Sequence, residues 1–103
     1  MSVIIGTTDN FEEEVLNSKI RTLVDFNATW CGPCRMLAPI LEDFAKDNSD
    51  IKVISINVDE AEDLAGRYHV FSIPCLVVFE DGKEVKRNVG FMQKEELEKF
   101  IGE

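Results

Sequence analysis

Apolar positions in this chain come in short clusters whose spacing switches between a period of two and a period near 3.6. Val3-Ile4-Ile5 is a branched apolar run that predicts a short first strand. Thr8-Asp9-Asn10 then offers side chains able to cap a helix. Glu12 to Glu14 put negative charge in that helix's first turn, where the macrodipole favours it. Phe11, Val15 and Leu16 share one face of this short helix. Arg21 to Ala28 reads as a second strand, with Leu23, Val24 and Phe26 apolar and Asp25 lodged among them. From Cys31 to about Lys46, Met36, Leu37, Ile40, Leu41, Phe44 and Ala45 recur at helical spacing, while Glu42, Asp43 and Lys46 take the other face. Pro39 lies inside this helix and predicts a kink, because it removes a backbone donor and crowds the preceding turn.

Past the polar loop Asp47-Asn48-Ser49-Asp50, Ile51 to Val58 predicts a third strand and Ala61 to Tyr68 a short helix. Pro74 opens a fourth strand that runs through Phe79. Asp81-Gly82 is a hairpin signal leading to a fifth strand near Val85 to Val89. Gln93 to Ile101 predicts a closing helix, with Leu97, Phe100 and Ile101 inward and Gly102 at its C-terminal end. The order β-α-β-α-β-α-β-β-α predicts parallel crossovers followed by an antiparallel hairpin: one α/β domain spanning residues 1–103, without repeat or linker.

Charge narrows the function. Eleven Lys and Arg against twenty Asp and Glu leave the 103-residue chain at −9, which opposes binding to phosphate backbones or anionic lipid. The acidity is uneven, for Phe26 to Leu41 contains no acid and Arg35 is its one charge. The acidic runs Glu12 to Glu14 and Asp59-Glu60 through Asp63 read as solvated faces. Met1 to Gly6 lacks a basic region, and Leu76 to Phe79 is only strand-sized, so a cytoplasmic protein with reduced thiols is expected. Three cysteines are too few for a disulfide scaffold, and their odd number leaves at least one unpaired.

Cys31-Gly32-Pro33-Cys34 falls where the second strand gives way to the long helix. A helix N-terminus has unpaired backbone N–H groups and the positive end of the macrodipole, which lower a thiol pKa and favour the nucleophilic thiolate. Two intervening residues let the second sulfur reach the first across one turn, so a disulfide between them can form and break. Gly32 keeps the approach open, and Pro33 fits a first turn where its missing N–H costs little. Two other readings stand beside disulfide exchange. One is a pair of unrelated core thiols. The other is a zinc site from Cys31, Cys34, Cys75 and His69, against which His69 and Cys75 lack paired ligand spacing. Asp25 is likewise open, either as a solvent-facing acid or as a desolvated one with raised pKa.

Val24-Asp25-Phe26, Ala28, Trp30-Cys31-Gly32-Pro33-Cys34, Pro39, Ile73-Pro74, Asp81-Gly82 and Val89-Gly90 together resemble the thioredoxin family, at spacings that fit essentially the whole chain. The resemblance implies a thioredoxin fold, with a central five-stranded mixed sheet flanked by four helices. It implies a general protein disulfide reductase with no bound cofactor, its redox centre being the Cys31-Cys34 pair. Electrons would come from thioredoxin reductase, a flavoprotein that uses FAD and NADPH. Cys31 would attack, Cys34 would resolve the mixed disulfide, and Asp25 would take the proton of Cys34. Pro74 would be a cis-proline, and Ile73 would offer its backbone to an extended substrate segment. Trp30, Gly32, Pro33, Ile73, Pro74, Val89, Gly90 and Phe91 would form an uncharged docking face for disulfide-containing proteins. The Gly-Pro pair also favours the reducing direction, since it adds no positive charge to stabilise a thiolate. A monomer is expected, with no metal, nucleic acid or membrane partner.

The chain departs from that pattern at several positions. Ser55 stands where many relatives place a lysine near the buried acid, which should push Asp25 further toward its neutral form. Asn27 replaces a frequent aromatic and should loosen packing beside the active-site loop. Cys75 replaces the threonine that usually follows the proline, and reads as a small buried hydrophobe or as a third redox-active thiol. Phe91 is larger than its usual counterpart and should make the docking rim more apolar. His69 reads as a surface or helix-end residue. A different class of function is a binding module that docks to a partner enzyme with redox turnover secondary; a Cys31→Ser variant separates the two.

Overall fold

The computed structural model describes residues 2–102. Five strands, β1 (Val3–Gly6), β2 (Thr22–Asn27), β3 (Lys52–Asn57), β4 (Cys75–Glu80) and β5 (Lys83–Val89), form one sheet in the order β1-β3-β2-β4-β5. β3 pairs in parallel with β1 and with β2, whereas β4 runs antiparallel to β2 and β5. The helices are α1 (Gly32–Asp47), α2 (Glu62–Arg67) and α3 (Lys94–Gly102), preceded by a π-type helical segment, Glu12–Leu16. The sequence predicts this order in full.

Period-two alternation in β2 sends side chains to two different layers. Leu23 joins Leu37, Leu41, Phe44, Leu76 and Leu97 under α1 and α3. Val24 and Phe26 instead join Phe11, Ile54, Ile56, Leu64, Cys75 and Phe79 on the α2 side. Asp25, between Val24 and Phe26, therefore faces the α1 layer, opposite Ser55 on β3 and Leu76 on β4. A strand packed on both faces has no solvent side on which to leave a carboxylate.

Several local expectations need correction. The first helix is a wide turn closed by Asn17 N–H donating to the Glu12 carbonyl, five residues back, at 2.8 Å. Its cap position is Phe11, with no side-chain cap. Asn10 and Thr7 instead close the preceding turn on each other: Thr7 N–H donates to Asn10 Oδ1 at 2.7 Å, and Asn10 N–H to Thr7 Oγ1 at 3.2 Å. Met36 is 59% exposed, because the buried stripe of α1 runs Cys34, Leu37, Leu41, Phe44 and Ala45 and leaves Met36 off it. β5 begins at Lys83, directly after a two-residue turn in which Asp81 (φ 52°) and Gly82 (φ 80°) are both left-handed. A Cβ on Gly82 would also sit 2.7 Å from the Leu16 carbonyl oxygen, so the turn needs glycine twice over.

α3 is anchored at its C-terminal end by cations. Lys86 Nζ donates to the Phe100 carbonyl at 2.9 Å, and Arg21 Nη1 donates to the Ile101 carbonyl. Both sit where the helix dipole favours positive charge.

Candidate active site

Cys31 is the N-cap of α1: its backbone is extended (φ −89°, ψ 112°) and its Sγ accepts the Cys34 backbone N–H at 3.2 Å. Cys31 and Cys34 form a disulfide across the first turn, with their Cα atoms 5.2 Å apart. The helix starts at Gly32, one residue past the expected Cys31, and this offset gives the Cys31 sulfur a helical N–H donor. In the reduced protein the same N–H and the dipole would stabilise a Cys31 thiolate. Cys34 lies one turn in, packed with Ala28 and Cys31 and against Val58 and Ile73. The two cysteines differ little in exposure, 6% against 4%, so burial alone does not divide their roles.

The Ile73-Pro74 peptide bond is cis, and Cys31 Sγ lies 4.0 Å from the Ile73 carbonyl oxygen. Gly90 N–H donates to the Pro74 carbonyl at 2.8 Å, which seats the end of β5 beside this loop. Gly90 itself is left-handed at φ 116°. Trp30 (67% exposed), Pro33 and Val89 stand out to solvent, with Gly32, Ile73 and Gly90 half-buried. Two expected face residues are less available. Pro74 is buried, and Phe91 is half-buried and packs partly against the α1 layer.

The fold supplies neighbours that the spacing of residues along the chain does not reveal. Trp30 Nε1 donates to Asp59 Oδ2 at 2.8 Å, so an acid from the β3–α2 loop fixes the indole. Asp63 accepts from Thr8 Oγ1 at 2.7 Å and Glu14 from Lys52 Nζ at 3.2 Å, so these acidic runs are not simply solvated faces. Met36 and Phe71 (87% exposed) are further exposed apolar side chains. Met36 lies one turn after Pro33, and Phe71 two residues before Ile73. Phe71 carried a signal as an aromatic in a loop, whereas Met36 shares the helical spacing of the buried residues and carried none.

Asp25 is 2% exposed, and burial raises its carboxyl from the ordinary 3.8 to about 6, against the opposing pull of a hydrogen bond from Asn27. Asn27 Nδ2 donates to Asp25 Oδ2 at 2.9 Å and to Ser55 Oγ at 2.8 Å. Asn27 is thus a polar clamp on the acid rather than a loosening of the packing. Asp25 and Cys34 line the same cleft beneath α1. The solvent-facing alternative for Asp25 is excluded.

Cys75 is 1% exposed and belongs to the α2-side layer. Burial pushes its thiol pKa up, although Arg87 Nη1 stands 4.0 Å from the sulfur. His69 is exposed and ends α2 in a left-handed conformation, φ 55°. Among the described residues no group of three or more His, Cys, Asp or Glu side chains could hold a metal ion, so the four-ligand zinc set is not gathered. No helix there is long and apolar enough to cross a membrane.

The Thioredoxin family model matches residues 2–103. The chain belongs to the thioredoxin family. Thioredoxin 1 of Synechococcus elongatus is 48% identical over 99 residues, covering 94% of this chain and 92% of that one. Thioredoxin of Rickettsia bellii is 45% identical over 96 residues, covering 92% and 91%. Thioredoxin of Bacillus subtilis is 41% identical over 102 residues, covering 98% and 96%. The architecture is accordingly a thioredoxin fold, and the chain is a thiol–disulfide oxidoreductase with a CGPC-type pair.

Proposed function

We propose that this thioredoxin-family chain, as a single monomeric domain over residues 1–103, is a general reductase of protein disulfides in the cytoplasm. The carrying observation is Cys31 Sγ at the N-cap of α1, accepting the Cys34 N–H. The Cys31 thiolate attacks one sulfur of a substrate disulfide, forming a mixed disulfide and expelling the other substrate sulfur as a thiolate. Cys34 gives its proton to Asp25, directly or through water, and then attacks Cys31 Sγ. That step releases the second substrate thiolate and leaves the Cys31–Cys34 disulfide, so two electrons have passed to the substrate. No bound cofactor takes part; electrons return from thioredoxin reductase, which draws on its own FAD and on NADPH.

Trp30, Gly32, Pro33, Ile73, Pro74, Gly90 and Phe91 hold the substrate, Pro74 and Phe91 by shaping the face from beneath. Ile73 offers its backbone to an extended segment, supported by its carbonyl standing 4.0 Å from Cys31 Sγ. The test is NADPH-coupled insulin reduction with thioredoxin reductase. Cys31→Ser should abolish turnover, and Cys34→Ser should accumulate a mixed disulfide through Cys31. Full turnover by Cys31→Ser would overturn the assignment.

A further inference from the structure

A cleft of about 420 Å³ opens between α1 and the sheet edge at β1. Val3 and Ile5 wall it on one side and Ala38, Pro39 and Leu41 on the other, with Asp25, Asn27 and Ser55 in the sheet beneath. With Cys34 held in the disulfide, Asp25 is its one buried ionisable side chain. Asn27 serves Oδ2, and Oδ1 has no hydrogen-bond partner among the described residues. A carboxylate so placed lacks the donors that normally accompany a buried charge.

We propose that this cleft is a binding site for a small primary alkylammonium ion, its ammonium on Asp25 and Ser55 and its chain along Val3, Ile5 and Leu41. The volume falls in the range of small-ligand sites, and the mixture of apolar walls with a few convergent polar groups is their usual make-up. Asn27 Nδ2, which bridges Asp25 Oδ2 and Ser55 Oγ, would give up both acceptors to the ligand's N–H donors. An ammonium brings three N–H donors and the compensating charge, whereas an alcohol of the same shape brings one donor and none. The charged groups of α1 at the mouth are Arg35 and Glu42. Arg35 Nη1 is engaged by the Thr29 carbonyl at 3.2 Å, and Glu42 Oε1 by the Ser2 N–H at 3.3 Å. β1 and β3 face the acid with the neutral Val3, Ile5 and Ser55, and β4 with Leu76. A net charge of −9 draws cations toward the chain at low salt.

Protons and the ammonium compete for one carboxylate. With Asp25 titrating at about 6, affinity should fall about tenfold between pH 7 and pH 5. The site concerns binding to the oxidised protein, so its success or failure is separate from that of the reductase assignment. The experiment is an NMR titration of the oxidised protein with n-pentylammonium and, in parallel, n-pentanol. Saturable shifts at residues 25, 27 and 55, at least tenfold weaker with pentanol and at least tenfold weaker in Asp25→Asn, are expected. Ala38→Leu, a substitution at an exposed helix position, should block both probes while keeping the amide spectrum. Glu42→Gln should retain the pH dependence. Equal affinities for amine and alcohol, undiminished amine binding by Asp25→Asn, or shifts that never saturate would each overturn the proposal.

Discussion

Replacing Asp25 with asparagine should stabilise the protein at high pH and lose that effect in acid. The carboxyl titrates at about 6 in the folded chain and near 3.8 when burial is removed. A folded-state pKa above the unfolded one means the native state binds more protons between those values. Stability then falls as pH rises, because ∂ΔGunfold/∂pH follows the protons bound by the unfolded state minus those bound by the native one. Each pH unit of that interval carries about 1.36 kcal/mol, so the charged acid costs on the order of 3 kcal/mol above pH 7 relative to pH 3. Asparagine keeps the shape and can still accept the Asn27 amide. Its own NH2 then takes the place of the unpartnered Oδ1 at a cost of about 1 kcal/mol.

The expected net gain is therefore about 2 kcal/mol at pH 8, vanishing or reversing slightly by pH 4. Urea unfolding of the oxidised wild type and Asp25→Asn at intervals from pH 4 to pH 8 measures it. Every other carboxylate titrates in both proteins and cancels in the difference. A gain that does not depend on pH would show that repacking, not ionisation, is responsible. A loss of stability at pH 8 would refute the account of Asp25 as an under-compensated buried charge.

Three further outcomes follow from the same geometry. Asn27→Leu removes the hydrogen bond that lowers the Asp25 pKa, so the carboxyl should titrate at higher pH than in the wild type by NMR; an unchanged midpoint would show that the Asn27 amide does not hold the ionised acid. Cys75→Thr should leave insulin reduction within about twofold, and the oxidised wild type should show one thiol to Ellman's reagent only after unfolding; native-state reactivity would reopen the third-thiol reading. His69→Gly should stabilise by roughly 0.5–1 kcal/mol in urea, because this exposed side chain occupies a left-handed helix terminus.

The architecture was legible because each element carries its own periodicity and punctuation. The buried stripe of α1, the branched residues of β3 and the Asp81-Gly82 turn all say the same thing locally as the fold says globally. What sequence hid was contact between distant segments. Asn27 looked like a missing aromatic, yet the parallel register of β2 and β3 puts Ser55 opposite Asp25 and lets the Asn27 amide bridge the two. Asp59 looked like part of an acidic run until the β3–α2 loop delivered it to the Trp30 indole. The π-type closure at Glu12 escaped for a different reason, since apolar spacing over five residues does not distinguish a wide turn from an α-helical one.

These contacts explain how two nearly equally buried cysteines can act differently. Cys31 and Cys34 differ by two percentage points of exposure, 6% against 4%, too little to make one a nucleophile and the other a reserve. The backbone makes the distinction. Cys31 caps α1 and receives a helical N–H, so charge on that sulfur is stabilised without any side chain. Cys34 sits inside the turn that supplies this N–H and shares a cleft wall with Asp25. Its activation calls for a base, and an acid titrating at about 6 matches that task near neutral pH better than one at 3.8. The desolvation that weakens the fold at Asp25 is thus the same physical effect that would fit it to the proposed role of taking the Cys34 proton. The Asn27 amide offsets part of that desolvation and limits the rise to about 6.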